Sequence, residues 1–282
     1  MTDEIESFSP TKISTWLWCR QGYHWIYDED LAPKVKAEPP KIGDITHRLR
    51  EKYLKGELSL QDIQNLPQKV NLIYPEDPEQ VSERVASDAA ELFMCWRQEY
   101  KRENIEIVSP ELTLSKTFEI PWTGEPFILK ARLDGMSRTP DGRLWRDELK
   151  TGARMDQLYI KGFKQGVQTG ICHWLLDELS DEKVHGTIFN LVVNTKEKKA
   201  TFDFYRRSQW QQDWIKRLVY GVVNEVYLAK SLSYYRYPSL SCAVYNRGCD
   251  YYPLCQNDTP ARRQTLFISR SKEYEKEKGV DF

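Results

Sequence analysis

The amino-acid sequence predicts an α/β fold with helical and C-terminal additions, on three observations. Apolar residues recur at helical spacing before residue 102, period-two alternation takes over across 105–150, and helix and strand patterns alternate again to residue 230. The composition is that of an ordinary globular chain: 282 residues, 40% apolar and 29% charged. With 41 basic and 42 acidic side chains the formal net charge is −1, which excludes a histone-like binder but leaves room for a local basic groove. Mean hydropathy is −0.66, and no stretch approaches the roughly 20 apolar residues of a membrane span. The acidic start, Met1-Thr2-Asp3-Glu4-Ile5-Glu6, lacks the apolar core of a secretory signal, so a cytoplasmic location and no membrane partner are expected.

Taken in order, Ser9-Pro10 opens a short helix within 9–30 that carries Trp16, Trp18, Tyr23, Trp25 and Tyr27. A proline-broken linker runs from Pro33 to Pro40. Residues 43–56 read as a helix through Ile45, Leu49 and Tyr53, and 59–80 as a polar short helix and loop. A second amphipathic helix is expected at 78–101, through Val81, Val85, Ala89, Leu92, Phe93 and Trp96. Strands follow at 105–108, 111–120, 127–136 and 143–150, with turns at Pro121-Trp122-Thr123-Gly124 and Thr139-Pro140-Asp141-Gly142. The last three strands read as a meander. A helix at 156–178, a strand pair at 186–195 and 200–205, a helix at 208–230 and a loop-rich C-terminal segment complete the pattern.

The most informative stretch is Leu133-Asp134-Gly135 through Arg146-Asp147-Glu148-Leu149-Lys150-Thr151. A hairpin centred on Asp141 sets Asp134 opposite Glu148, because 141 lies midway between them. Directly opposed residues have Cβ atoms about 4.5–5.5 Å apart, and two carboxylates at that distance repel unless a cation lies between them. Lys150 follows on the same strand face as Glu148. Two hard oxygen ligands and one ammonium converge, which suits Mg²⁺ or Mn²⁺ and the polarisation of a phosphodiester. The ammonium is placed to orient the attacking water or to stabilise developing charge. Taken alone, the same residues also read as a solvated strand face with an ordinary ion pair.

These residues resemble the PD-(D/E)XK nuclease superfamily, in particular its RecB/AddB-type branch, which includes CRISPR-adaptation exonucleases. Gly43-Asp44-Ile45-Thr46-His47 is similar to the branch's Gly-x-x-x-His motif, and Glu111 to the acidic residue of the first core strand. Leu133-Asp134-Gly135 corresponds to the central aspartate motif, with Leu in place of Pro, and Glu148-Leu149-Lys150-Thr151 to (D/E)-x-K-T. Gln168 stands like the glutamine of Gln-x-x-x-Tyr, but Cys172 occupies the tyrosine position; Gln165, with Thr169, is the alternative. The resemblance implies a restriction-endonuclease-like core, a mixed sheet flanked by helices. It implies His47, Asp134, Glu148 and the Leu149 carbonyl as metal ligands, Lys150 as the residue that activates water, and Glu111 and Gln168 as supports. It also implies one nuclease domain over 1–282, with an N-terminal segment at 9–30, a helical segment at 43–101, the core at 105–230 and a cysteine cluster at 231–260.

Six cysteines stand at 19, 95, 172, 242, 249 and 255. Cys95 and Cys172, alone within helical patterns, read as small core hydrophobes. Cys242, Cys249 and Cys255 cluster, but too widely for two C-x-x-C knuckles, and Cys19 is the natural fourth member. The surroundings of Cys19 and the Cys249-Asp250-Tyr251-Tyr252-Pro253-Leu254-Cys255 run resemble the RecB/AddB-type segments that hold a [4Fe–4S] cluster between the chain ends. Arg20 replaces the usual Pro, and the x6 gap after Cys242 replaces x2; Zn²⁺ suits four thiolates as well.

Residues 130–164 hold nine Lys/Arg against five Asp/Glu, a basic excess around the expected site. Arg262, Arg263, Arg270 and Lys272 make a second basic stretch, which the following glutamates mark as a solvated tail. The sequence is thus read as a metal-dependent DNA exonuclease acting on duplex ends or single strands, in recombination, repair or CRISPR adaptation, and possible in a phage. It lacks a phosphate-loop motif, so unwinding falls to a partner such as a helicase, with recombinases and CRISPR adaptation proteins as further partners. The alternative is a catalytically silent DNA-binding module of a larger complex. A redox protein, resting on the cysteines alone, ranks last.

Overall fold

The computed structural model describes residues 5–34, 39–66, 73, 81–153, 156–235, 242–244 and 247–271. By its contacts the chain divides into a terminal unit, residues 1–37, 117–129 and 217–282, and a central unit, residues 38–116 and 130–216. Linker residues 35–38, residues 67–80 apart from Ile73, Arg154 and Lys272 lie outside the described residues.

The terminal unit begins with β1 (Ser7–Phe8), α1 (Pro10–Trp18), α2 (Arg20–Tyr23), a π-helical turn (His24–Asp28) and β2 (Leu31–Pro33). Ser9 caps α1 by accepting from the Lys12 amide at 3.1 Å, and Pro10 takes the first turn, where its missing N–H costs nothing. The single helix expected within 9–30 is broken at Cys19. Its backbone turns extended, and its sulfur takes over as the cap of α2, accepting from the Gly22 amide at 3.2 Å.

The central unit holds α3 (Pro39–Leu54), α4 (Leu60–Gln64), α5 (Glu83–Arg102) and β3 (Glu106–Ser109), then parts of β4 (Leu112–Glu119) and β5 (Pro126–Leu133). It continues through β6 (Gly135–Arg138), β7 (Leu144–Gly152), α6 (Gln157–Gln165), α7 (Val167–Leu179), β8 (Val184–Val193), β9 (Lys199–Tyr205) and the start of α8 (Gln209–Leu232). Five strands pair in the order β3-β6-β7-β8-β9, parallel between β7 and β8 and antiparallel elsewhere. The parallel step requires a crossover, which α6 and α7 supply. Helices α3 and α5 bury Ile45, Leu49, Phe93 and Trp96 in one core with Leu149 and Val192 of the sheet. Ile160 of α6 packs with Phe189 and Leu191.

Two further expectations are corrected. The helix expected over 156–178 stops at Gly166, where Arg207 donates to the Lys164 and Gly166 carbonyls, each at 2.8 Å, and Thr169 Oγ1 to that of Phe163 at 2.9 Å. Side chains satisfy these carbonyls in place of a continued helix. The expected three-strand meander is also not one sheet. Its middle strand divides at Asp134: β5 pairs in a sheet of order β1-β5-β4, while β6 joins the five-stranded sheet. Gly135 makes the corner. Its φ is +156°, and a Cβ there would lie 2.7 Å from the Ser109 carbonyl oxygen.

The terminal unit is completed by the rest of α8, β10 (Ala243–Val244), β11 (Arg247–Gly248), α9 (Tyr252–Gln256), α10 (Pro260–Leu266) and β12 (Phe267–Ser269). β12 pairs antiparallel with β2, and Trp25, Leu254 and Phe267 form a small core. Among the described residues no helix is long and apolar enough to cross a membrane.

Candidate active site

β6 and β7 pair with Gly135 opposite Asp147, Met136 opposite Arg146, Ser137 opposite Trp145 and Arg138 opposite Leu144. The paired register ends at Gly135, and Asp134 lies at the corner just beyond it. Asp134 is held from two sides: Oδ2 accepts from the Leu149 amide at 2.8 Å, and Oδ1 lies 3.3 Å from His47 Nδ1 on α3. Gly43 explains how α3 comes so near. A Cβ at Gly43 would lie 2.7 Å from Thr151 Oγ1 of β7, so the glycine seats the helix on the strand. His47, one turn on along the same helix face, then reaches the corner.

Glu148 is buried, with 2% of its surface exposed, and two cations of its own strand face it: Arg146 and Lys150 each contact its carboxylate. The Lys150 ammonium also sits 5.6 Å from the centre of the Phe163 ring. Burial pushes the Lys150 ammonium below the ordinary lysine range, with Asp134 opposing and Arg146 adding to the shift. Partial burial would raise the Asp134 carboxyl, but His47, Arg50 and Lys150 outweigh it and hold it well below the usual carboxylate range. The arrangement can keep Asp134 ionised while a less basic amine stands beside it. Among the described residues, no three His, Cys, Asp or Glu side chains stand close enough together to hold a metal ion as they are placed.

Residues 7–256 match the profile of the PD-(D/E)XK nuclease superfamily. The chain belongs to this superfamily. The fold likeness agrees: a solved structure of a candidate exonuclease from Eubacterium rectale superposes with a TM-score of 0.56 at 12% identity, covering 83% of this chain and 85% of that one. A second solved structure, SSO0001, gives a TM-score of 0.32 at 15% identity over 65% of this chain and 86% of that chain, too low to carry an argument. No curated protein matches the chain. Members of this superfamily hydrolyse phosphodiester bonds of DNA and generally use Mg²⁺ or Mn²⁺, so the chain is a nuclease by family.

The other expected residues of this nuclease are placed unequally. Glu111, between β3 and β4, pairs with Arg132, whose guanidinium also donates to Glu51 at 3.0 Å. Burial and the nearby Glu51 raise the Glu111 carboxyl despite Arg132. Glu51 was not singled out from the sequence, although it stands four residues after His47 on the same face of α3. Gln168, exposed at the start of α7, makes no hydrogen bond to Lys150. Its alternative, Gln165, accepts instead from the Gln211 amide at 3.3 Å.

Behind the site lies a buried network that sequence reasoning missed. Asp147, with none of its surface exposed, accepts from Ser137, from Tyr100 at 3.2 Å and from the Asn190 amide at 3.2 Å. Arg50 lies 3.4 Å from the same carboxylate, donates to the Asp134 carbonyl oxygen, and covers the Trp96 ring at 5.1 Å. Arg50 thus ties α3, which carries His47, to the corner that carries Asp134. Its only sequence signal is a charge among apolar positions of an amphipathic helix.

In the terminal unit, Cys19, Cys242 and Cys255 lie close enough to Cys249 to raise its thiol, after burial as the main cause. The β10–β11 hairpin closes the x6 gap: the Cys249 amide donates to the Cys242 carbonyl at 2.9 Å. Besides the Gly22 amide on Cys19, the Trp25 indole N–H donates to Cys255 Sγ at 3.3 Å. N–H donors aimed at the sulfurs of Cys19 and Cys255 are of the kind that suits metal-bound thiolates, but among the described residues the four sulfurs do not stand as a set that holds a metal as they are placed. Cys172 is buried, as expected of a core residue, and Cys95 only partly so.

Proposed function

We propose that this nuclease is a metal-dependent DNA exonuclease, and the observation that carries the reading is Asp134 held between His47 and the Leu149 amide, beside Glu148 and Lys150. His47, Asp134, Glu148 and the Leu149 carbonyl are the residues to hold Mg²⁺ or Mn²⁺. A bound divalent ion would polarise the phosphodiester and acidify a water. Lys150, with its lowered affinity for protons, orients that water and hands a proton on. Glu111, with Arg132 and Glu51, supports the site, and Gln168 positions the substrate strand.

On this reading 1–282 acts as one nuclease domain. Cys19, Cys242, Cys249 and Cys255 hold a [4Fe–4S] cluster, or Zn²⁺ in its place, as a structural staple of the N- and C-terminal segments. The setting is the cytoplasmic processing of DNA ends or single strands in recombination, repair or CRISPR adaptation, with a helicase, a recombinase or adaptation proteins as partners. The donors to Cys19 and Cys255 support the cysteine reading.

The deciding test is cleavage of end-labelled single- and double-stranded DNA with Mn²⁺, Mg²⁺ or EDTA, wild type beside Lys150→Ala. Metal-dependent degradation that disappears in the variant supports the proposal, and the label gives the polarity. No cleavage from protein with its iron or zinc content verified would favour a DNA-binding module. Folded protein containing neither iron nor zinc would refute the cysteine site.

A further inference from the structure

The turn that joins β6 to β7 borders a concavity away from the carboxylates. Its volume is about 680 Å³, and its lining includes Thr139, Asp141, Arg143, Trp145, Phe204 and Arg206. Trp145 belongs to the opposite face of β7 from Glu148 and Lys150 and precedes Lys150 by five residues, roughly 16 Å along a strand.

The local backbone is shaped for this aromatic floor. β8 carries an irregularity opposite the stretch from Leu144 to Arg146, and Gly186 sits in it with φ +155°. A Cβ at Gly186 would lie 2.2 Å from the Tyr205 carbonyl oxygen and 3.0 Å from the Trp145 ring. Bulges of this kind re-aim a neighbouring side chain. The Trp145 indole donates to Thr139 Oγ1 at 3.2 Å, and the Phe204 ring meets it edge-on at 5.2 Å. Phe204 keeps 44% of its surface exposed.

The charge around the floor is positive. The Arg206 guanidinium lies 5.1 Å from the Trp145 ring centre and has no carboxylate partner among the described residues. Burial and then the positive charges of Arg206, Arg143 and Lys183 push the His185 imidazole below its ordinary value. Asp141, in the lining, pairs with Arg143 at 3.2 Å, and Glu182 pairs with Arg138 at 2.7 Å. An apolar ligand would leave the guanidinium unpaired, and a bare anion would leave the rings unused. A planar base joined to phosphate uses both.

We infer that this concavity is a second nucleic-acid site, in which the exposed Phe204 stacks a base above the buried Trp145, which serves as its floor, and Arg143 and Arg206 pair with phosphates of the same strand. The inference rests on the nuclease reading for its ligand, but not on the catalytic residues. The site holds the strand away from the cut.

The test uses the full chain carrying Lys150→Ala, which prevents cutting, and a fluorescein-labelled single-stranded oligonucleotide, read by anisotropy from 50 to 200 mM salt (about the range over which such contacts respond). Adding Arg143→Gln and Arg206→Gln weakens binding about tenfold at low salt and lowers the salt slope by about 1.4, two phosphate contacts at about 0.7 each. Phe204→Thr weakens binding without changing the slope. Unchanged affinity and slope in the arginine double variant, with an unaltered melting curve, would overturn the site. A nucleoside monophosphate, titrated calorimetrically, that binds and is lost in the double variant while oligonucleotide binding is kept would overturn the strand assignment. If the wild type fails to cut DNA while the arginine effects persist, the exonuclease proposal fails and this site stands.

Discussion

Strand β7 carries two carboxylates side by side, and its two faces treat them differently. Asp147 and Glu148 are both buried, at 0% and 2% exposure. Asp147 faces α3 and α5 and is held by the hydroxyls of Ser137 and Tyr100, the Asn190 amide and Arg50. Glu148, on the other face, is met by the cations Arg146 and Lys150. A carboxylate with several fixed donors is an anchor, and removing it strands its partners. A carboxylate balanced by cations keeps its affinity for positive charge, and a divalent ion can join or displace those cations. Burial alone does not tell the two apart; the kind of partner does.

The largest expected effect is on chemistry at the Glu148 face. Lys150→Ala or Asp134→Ala lowers DNA cleavage about 10³-fold or more while DNA binding largely remains. Unchanged cleavage in either variant would remove the distinction between the faces. Asp147→Ala acts on the other face. It leaves Arg50 buried without its carboxylate and costs about 3–5 kcal/mol, read from urea denaturation; a stability equal to wild type would show that Asp147 is no anchor. Gly135→Ala, at the corner both faces share, costs about 1–3 kcal/mol through its positive φ and the approach to Ser109.

The smallest effect is a control outside β7. Glu178 accepts from Lys116 at 2.9 Å, Trp174 at 3.1 Å and Lys216 at 3.2 Å, and the hydrogen bond from Lys116 leads the causes that hold its carboxyl down to about 2. A depressed carboxyl stabilises the fold fully above its unfolded value of 4.5 and ceases to do so as pH falls through about 2. Because it is partly exposed, its contribution is under about 1 kcal/mol. Glu178→Gln flattens that part of the acid limb in pH-dependent melting, and an unaltered limb would reject the assignment.

Much of this contrast was legible in the sequence, and the reason is geometric. Strand parity alone separates Glu148 and Lys150 from Asp147, and the turn at Asp141 fixes the register that sets Gly135 opposite Asp147. Local rules did not reach further. The division at Asp134 depends on Gly135 meeting Ser109 from another strand, and the stop at Gly166 depends on Arg207, more than 40 residues away. Arg50, Tyr100, Ser137, Asp147 and Asn190 come together from five elements, and no window of sequence contains them. Glu51 was within reach, since a glutamate four residues after His47 on a helix shares its face.

The small β10–β11 hairpin bears on how such chains diverge. Cys242 and Cys249 are neighbours because β10 and β11 pair antiparallel between them and the Cys249 amide donates to the Cys242 carbonyl. What matters to the two sulfurs is that the ends meet, not how many residues separate them. The entropy of closing a loop rises only about 0.6 kcal/mol for each doubling of its length. Insertions at this point are therefore nearly free, and relatives of this chain can carry a wide scatter of lengths between these two cysteines while keeping the same pair in place.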